Sequence, residues 1–179
     1  MAGFEVESTE NLKELANGVV IGFVEEKSKH PNADKLSICS VNIGKSRLQI
    51  VCGASNVTQG IHVAVAPVGT LLPAIDLEIK QSDIRGIPSH GMICALSELG
   101  LKSNEDGICV LDTYLNDGFS LGDPVDTYLG LDDVIFDIAI TANRPDGMSM
   151  LGIASEVAAI CNTELNEVAT LNNLVPKAF

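Results

Sequence analysis

The feature that most constrains this chain is a series of short, alternating apolar segments between Val19 and Lys80, each stopped by glycine, proline or asparagine. Residues 19–24 are apolar and largely β-branched, with Gly18 before them and Glu25-Glu26-Lys27 after. Leu36 and Ile38 alternate on one phase, and Cys39, Val41 and Ile43 on the other. That phase change predicts a β-bulge near Cys39-Ser40, which lets a long strand curl. Leu48, Ile50 and Cys52 fall on one face, with Arg47 and Gln49 on the opposite one. Val63 and Val65 mark a fourth strand, and Leu77 and Ile79, flanked by Glu78 and Lys80, a fifth. The breaks carry turn chemistry. In His30-Pro31-Asn32-Ala33-Asp34 the proline fixes φ while Asn32 and Asp34 tolerate turn geometry, and Gly44-Lys45-Ser46 follows the same logic.

Five short strands at this spacing predict a barrel or sandwich, and the smallest common solution is the partly open five-stranded oligonucleotide/oligosaccharide-binding (OB) barrel. The chain beyond it reads differently. Val134, Phe136, Ile138 and Ile140 alternate as a strand, and Asn143-Arg144-Pro145-Asp146-Gly147 is a polar turn. Asp146 or Ser149 can cap a helix whose Ile153, Val157, Ile160 and Cys161 share one face, and that face needs a packing partner. Residues 1–17 hold little core of their own and are expected beside this segment. Charge divides the same way. Residues 1–18 carry −3, residues 19–115 only −2, and residues 116–179 carry −8, together the net −13. A domain boundary is therefore expected near residues 115–125, where Asn116-Asp117-Gly118 and Gly122-Asp123-Pro124 supply turns.

The composition narrows function. No apolar run approaches the roughly 18 residues of a spanning helix, and the acidic N-terminus (Glu5, Glu7, Glu10) is unlike a secretory signal. A cytoplasmic protein without membrane insertion is expected. The five cysteines, lacking any C-x-x-C pair, then read as reduced, buried thiols. Cys39 and Cys52 can be cross-strand neighbours, but a zinc site needs four ligands. Gly44-Lys45-Ser46 is not the end of a phosphate-cradling loop, because Cys39 stands where that loop requires glycine. His30, His62 and His90 show no nucleophile or ligand spacing and read as surface or turn residues. The remaining constellation is Ile84-Arg85-Gly86-Ile87-Pro88-Ser89-His90-Gly91-Met92, a glycine-flanked loop offering a cation, a hydroxyl and a polarisable thioether. Lys35 and Arg47 can share its surface. With net charge −13, 4% aromatic residues and no Trp, extended stacking of single strands is disfavoured. Shape and backbone readout of a folded RNA suits the pattern better.

Three ordered motif blocks make a resemblance specific. Lys29-His30-Pro31-Asn32-Ala33-Asp34-Lys35-Leu36, then Ile50-Val51-Cys52-Gly53-Ala54-Ser55-Asn56-Val57, then Arg85-Gly86-Ile87-Pro88-Ser89-His90-Gly91-Met92-Ile93-Cys94 closely resemble the tRNA-binding OB-fold module. Residues 128–133, 140–149 and 152–158, together with Met1-Ala2-Gly3-Phe4-Glu5-Val6-Glu7, resemble the bacterial phenylalanyl-tRNA synthetase beta subunit, with Ala142 where that family usually has proline.

The resemblance implies a mainly β chain with α+β parts: a five-stranded OB-fold barrel inserted into a split α/β domain truncated at its N-terminus. It places a remnant of the first half at residues 1–17, the tRNA-binding barrel at 18–122 and the second half at 123–179. The whole enzyme would join phenylalanine to tRNA(Phe) using ATP and magnesium, with an alpha subunit in an alpha2beta2 complex. This piece, which carries no ATP-binding signature, would hold no cofactor and no catalytic site. The family motif assigns tRNA contacts to Lys35, Arg85, Ser89 and Met92, and more weakly to Arg47 and Asn56. Lys35 and Arg85 would neutralise phosphates, and Ser89 would donate a hydrogen bond. Two alternatives stay open: an architectural brace within the beta subunit, and a free-standing tRNA-binding protein.

Overall fold

Alternation of apolar and polar residues drives most of the chain into strands, and the computed structural model describes residues 4–103, 106–115 and 118–165. In chain order the strands are β1 (Glu5–Asn11), β2 (Val20–Lys29), β3 (Ser37–Asn42), β4 (Arg47–Cys52), β5 (His62–Pro67), β6 (Leu71–Leu72), β7 (Leu77–Glu78), β8 (Ser82–Ile84), β9 (Ile87–Ser89), β10 (Gly91–Ile93) and β11 (Val134–Ala139). One α-helix, α1 (Met150–Cys161), follows them. The chain divides into two compact units, Asn11–Ile135 and Met1–Glu10 with Phe136–Phe179.

The larger unit is built on an antiparallel five-stranded sheet in the order β10-β5-β2-β3-β4. Its two outer strands are sewn together, so the sheet curls into a nearly closed barrel. The His90 amide donates to the Gln49 carbonyl at 2.8 Å. The Ser89 hydroxyl accepts from the Val51 amide and donates to the Gly91 carbonyl, both at 3.1 Å. Gln49 also donates from its side chain to the Pro88 carbonyl at 2.8 Å. Val24, Cys39, Val41, Ile50, Val63 and Val65 fill one core. β5 is buried on both faces, which is why it reads as a continuous apolar run rather than an alternation. Its second face, Ala64 and Ala66, lies under Leu72, Leu99, Leu111, Val125 and Leu131.

Two expectations change here. The bulge lies on β2, between Val24 and Glu26, and not at Cys39-Ser40. β3 keeps unbroken register with β4 from Ser37 opposite Cys52 to Asn42 opposite Arg47, so the extra residue falls to the other neighbour. The fifth barrel strand is β10 rather than residues 77–79. Leu77 pairs only with Leu72 in a small hairpin, because Pro73 and the left-handed Asp76 turn the chain back at once. The compact barrel unit runs on past residues 115–125, to Ile135. Val125 is held by its amide to the Val19 carbonyl at 3.2 Å, Asp126 is buried and paired to Lys13 at 3.1 Å, and Leu131 is buried in the barrel unit. Of the turn expected at Asn116-Asp117-Gly118, the first two residues lie outside the described residues.

The smaller unit contains α1 and most of a two-stranded sheet of β1 and β11. Ser149 caps α1 by accepting from the Gly152 amide at 3.0 Å, which resolves the Asp146-or-Ser149 choice. Arg144 is its hub. It lies 4.4 Å over the Phe4 ring and bonds Asp146 and Glu156, each at 2.8 Å. No residue of α1 is fully buried. The apolar helical face therefore lacks a cover among the described residues, and Cys161, expected to be buried, is exposed.

Candidate nucleic-acid interface

Two short segments meet at one corner of the barrel. The first is the loop after β2. The His30 amide bonds the Leu36 carbonyl and the Leu36 amide bonds the Ala33 carbonyl, both at 3.1 Å, closing the loop so that Lys29 and Lys35 flank its base. The second is the β8–β9 hairpin, in which Ile84 pairs with Ile87 around Arg85-Gly86. Both central residues have positive φ, +53° and +88°. That tight reversal matches the right-handed twist of the strands and favours Asn-Gly or Gly-Gly. An arginine there costs about 1 kcal/mol of backbone strain. The loop and hairpin are joined directly: Asn32 Nδ2 donates to the Arg85 carbonyl at 3.1 Å, and Arg85 Nη1 to the Asn32 carbonyl at 3.4 Å.

Ion pairs neutralise four cations outside this corner, while Lys27, Lys45 and Lys102 form none among the described residues. Lys13 pairs with Asp126, Lys80 with Glu78, Arg47 with Glu25, and Arg144 with Asp146 and Glu156. Among the described residues, no ion pair is formed by Lys29, Lys35 or Arg85. Asp83 is nearby, but it accepts the Gly86 amide at 2.6 Å and so holds the hairpin.

The sequence-assigned residues therefore meet different fates. Lys35 and Arg85 are exposed, and the Asn32 bridge brings their segments together. Arg47 is exposed on β4, yet its Nε lies 2.5 Å from Glu25 Oε2. The Glu25 carboxyl is held below its ordinary range by the Arg47 hydrogen bond first and the Asn42 bond second. The β2 bulge aims Glu25 at both partners. Ser89 is 1% exposed, and its hydroxyl is used on both sides of the barrel seam. Met92, half-buried on β10, packs against the second core and lines a shallow hollow of about 360 Å³ with Cys52 and Glu98. Asn56 is spent internally, donating to the Ile108 carbonyl and accepting from the Ile108 amide, both at 3.0 Å. Lys29 and Asn32 stand in the first motif block but carried no assignment of their own. Their position beside the His-Pro turn was the available signal.

Other chemistry is sparse. Gly44-Lys45-Ser46 is the β3–β4 turn. Its Gly44 packs so closely on the Leu121 carbonyl that a side chain would collide, so the loop cradles its own backbone rather than a phosphate. No three His, Cys, Asp or Glu side chains converge among the described residues. Among those residues no helix is long and apolar enough to cross a membrane. Burial pushes the Cys39 and Cys109 thiols up to about 11 and Cys94 to about 12, which leaves them poor nucleophiles. His30, read as a surface or turn histidine, is a turn residue but only 4% exposed.

A curled antiparallel sheet of five strands, nearly closed on itself, defines a barrel of the OB type. The family model described as "Putative tRNA binding domain" matches residues 19–120, and the chain belongs to that family. It is also 57% identical over 166 residues to the phenylalanine–tRNA ligase beta subunit of Prochlorococcus marinus (strain MIT 9313), and 56% over 167 residues to that of Synechococcus sp. (strain CC9902). These alignments cover 92% and 93% of this chain but 20% and 21% of the relatives, so the chain spans about a fifth of their length. Among solved structures, the C-terminal domain of Plasmodium vivax p43 aligns at 26% identity and a TM-score of 0.42, over 59% of this chain and 57% of its own. The MetRS related protein from Pyrococcus horikoshii aligns at 19% identity and 0.42, over 60% and 87%.

Proposed function

We propose that this chain is part of a phenylalanine–tRNA ligase beta subunit and that its barrel supplies an auxiliary grip on tRNA(Phe). The observation that carries this reading is the corner where the Asn32 bridge brings together the segments bearing Lys29, Lys35 and Arg85, three cations that form no ion pair among the described residues. The strain accepted to hold Arg85 at a hairpin tip points the same way, since such outliers concentrate at functional positions. Lys35 and Arg85 neutralise phosphates. Met92 edges the neighbouring hollow, while Ser89 and Asn56 keep the barrel surface in shape, and Arg47 contributes least because Glu25 already holds it.

Three cations give weak, salt-sensitive binding on their own. Within a whole synthetase holding the same tRNA elsewhere, they act at high effective concentration. The rest of that cytoplasmic enzyme, including an alpha subunit, uses ATP and magnesium to join phenylalanine to tRNA; the residues described here hold RNA and do no chemistry on it. The split domain of the family layout, residues 1–17 and 123–179, overlaps the smaller unit and part of the larger one, and serves a second, architectural role with the barrel by bracing the rest of the beta subunit. Its exposed Phe136, Leu151 and Ile160 favour that reading.

Binding of a labelled tRNA(Phe) transcript to this chain at low and raised salt tests the proposal. Lys35→Ala and Arg85→Ala should each weaken binding about two- to fivefold and reduce the salt slope by about 1, while Arg47→Ala changes little. No binding at low salt, or binding insensitive to salt, overturns it.

A further inference from the structure

The imidazole of His30 is buried at 4% exposure between the two segments of the cationic corner. Its Nδ1 lies 3.1 Å from the Asn32 amide nitrogen, whose N–H donates to it. Its Nε2 lies 2.9 Å from the Ile84 carbonyl oxygen, which can only accept. The two partners fix the tautomer: Nδ1 is the bare acceptor and Nε2 carries the hydrogen. One ring therefore spans the loop that ends in Lys35 and the strand that leads into Arg85. Asn32 completes the link by donating its side-chain amide to the Arg85 carbonyl. The charged groups on the segments that hold the ring are Lys29, Asp34 and Lys35 on the loop side and Asp83 and Arg85 on the hairpin side.

We infer that His30 is a positioning residue for RNA binding. Through its Nε2–H it fixes the hairpin bearing Arg85 against the loop bearing Lys35, and so sets the spacing at which the two cations meet successive phosphates. This rests on the tRNA reading above and deepens it, because it makes the pair of cations a preorganised unit rather than two independent charges. Holding both in place removes part of the ordering cost that flexible side chains would otherwise meet on binding. A histidine suits the task physically. A serine or asparagine could accept the Asn32 amide in a local turn, but neither places a donor far enough across to reach the neighbouring hairpin.

The test uses the whole chain, with two variants that divide the ring's functions. His30→Asn keeps an oxygen for the Asn32 amide and lacks the Nε2 donor. His30→Gln restores a donor near the Nε2 position. Nitrogen-15 spectra of the native protein should show the Nε2–H tautomer. In His30→Asn the Arg85 and Gly86 amide resonances should shift while those of β2, β3 and β5 stay in place. Affinity for the tRNA(Phe) transcript at low salt should fall about two- to fivefold in His30→Asn, with His30→Gln recovering part of the loss. Adding Arg85→Ala to His30→Asn should cost less than the product of the two single losses, because both act on one unit. Unmoved Arg85 and Gly86 amides, an Nδ1–H ring, or fully multiplicative losses would overturn the assignment. If the native chain binds no tRNA, the functional reading fails by itself, and the tautomer and amide resonances still decide whether His30 couples loop and hairpin.

Discussion

In the barrel unit Ile21, Ile50 and Leu111 have no exposed surface, whereas in the smaller unit Phe136, Leu151 and Ile160 are 57%, 56% and 61% exposed. Both units use similar apolar residues, so the difference lies in how many layers each can assemble. The five-stranded sheet closes on itself and has its second face covered by Leu72, Leu99, Leu111, Val125 and Leu131, giving two cores. Among the described residues, the smaller unit offers a two-stranded sheet and one helix, which cannot surround a core. What orders the smaller unit is polar instead: the Arg144 bonds to Asp146 and Glu156, the Phe4 contact and the Ser149 cap. Hydrophobic burial sets stability in one unit, and a hydrogen-bonded hub sets local geometry in the other.

Matched truncations give the largest contrast. Ile21→Ala and Leu111→Ala should each cost about 2–5 kcal/mol in urea unfolding, while Ile160→Ala should stay within about 0.5 kcal/mol. A comparable loss at Ile160 would mean that its face is covered in solution and would break the contrast. Thiol labelling sharpens it next. At pH 8 native protein should react rapidly at Cys161 alone, with Cys39, Cys94 and Cys109 at least about a hundredfold slower, since each unit of raised pKa removes tenfold of thiolate. All five should react in denaturant. Arg144→Ala should raise amide exchange in α1 several-fold and leave the barrel's urea midpoint unchanged; a shift of that midpoint would show that the hub supports both units.

The smallest effect concerns Glu25. Its folded-state pKa is depressed by Arg47 and then Asn42, so its contribution to stability is present above the unfolded value and fades as pH falls through the folded one. Carboxyl titration by NMR should find Glu25 below the ordinary range in the native protein and close to it in Arg47→Ala. The stability change should be slight, because the pair is exposed.

Much of the barrel was legible because its signals are local. Alternation marked β3 and β4, apolar β-branched runs marked β2 and β5, the His30-Pro31 and Gly44-Lys45-Ser46 turns fell where the strands end, and Val134–Ala139 and α1 followed from period and cap. The fifth strand was not legible, since Gly91–Ile93 is three residues long and acquires its strand character only from pairing with Val65–Pro67. The site divides along the same line. Lys35 and Arg85 could be picked from their motif blocks, but nothing local distinguishes Arg47, whose charge is taken by a residue two strands' length away in sequence. Ser89, expected to donate to RNA, and Asn56, expected as a weaker contact, both have side-chain hydrogen bonds to backbone within the fold.

The sequence by itself determined where strands form, where they stop and which face of each is apolar, because those properties depend on neighbours within a few residues. Only the tertiary structure decided which polar groups remain available. That choice depends on strand register, on the bulge that carries Glu25 to Arg47, and on the turn that sets His30 between Asn32 and Ile84. Hydrogen bonds and ion pairs act over about 3 Å, and residues remote in the chain come within that distance only once the backbone has closed.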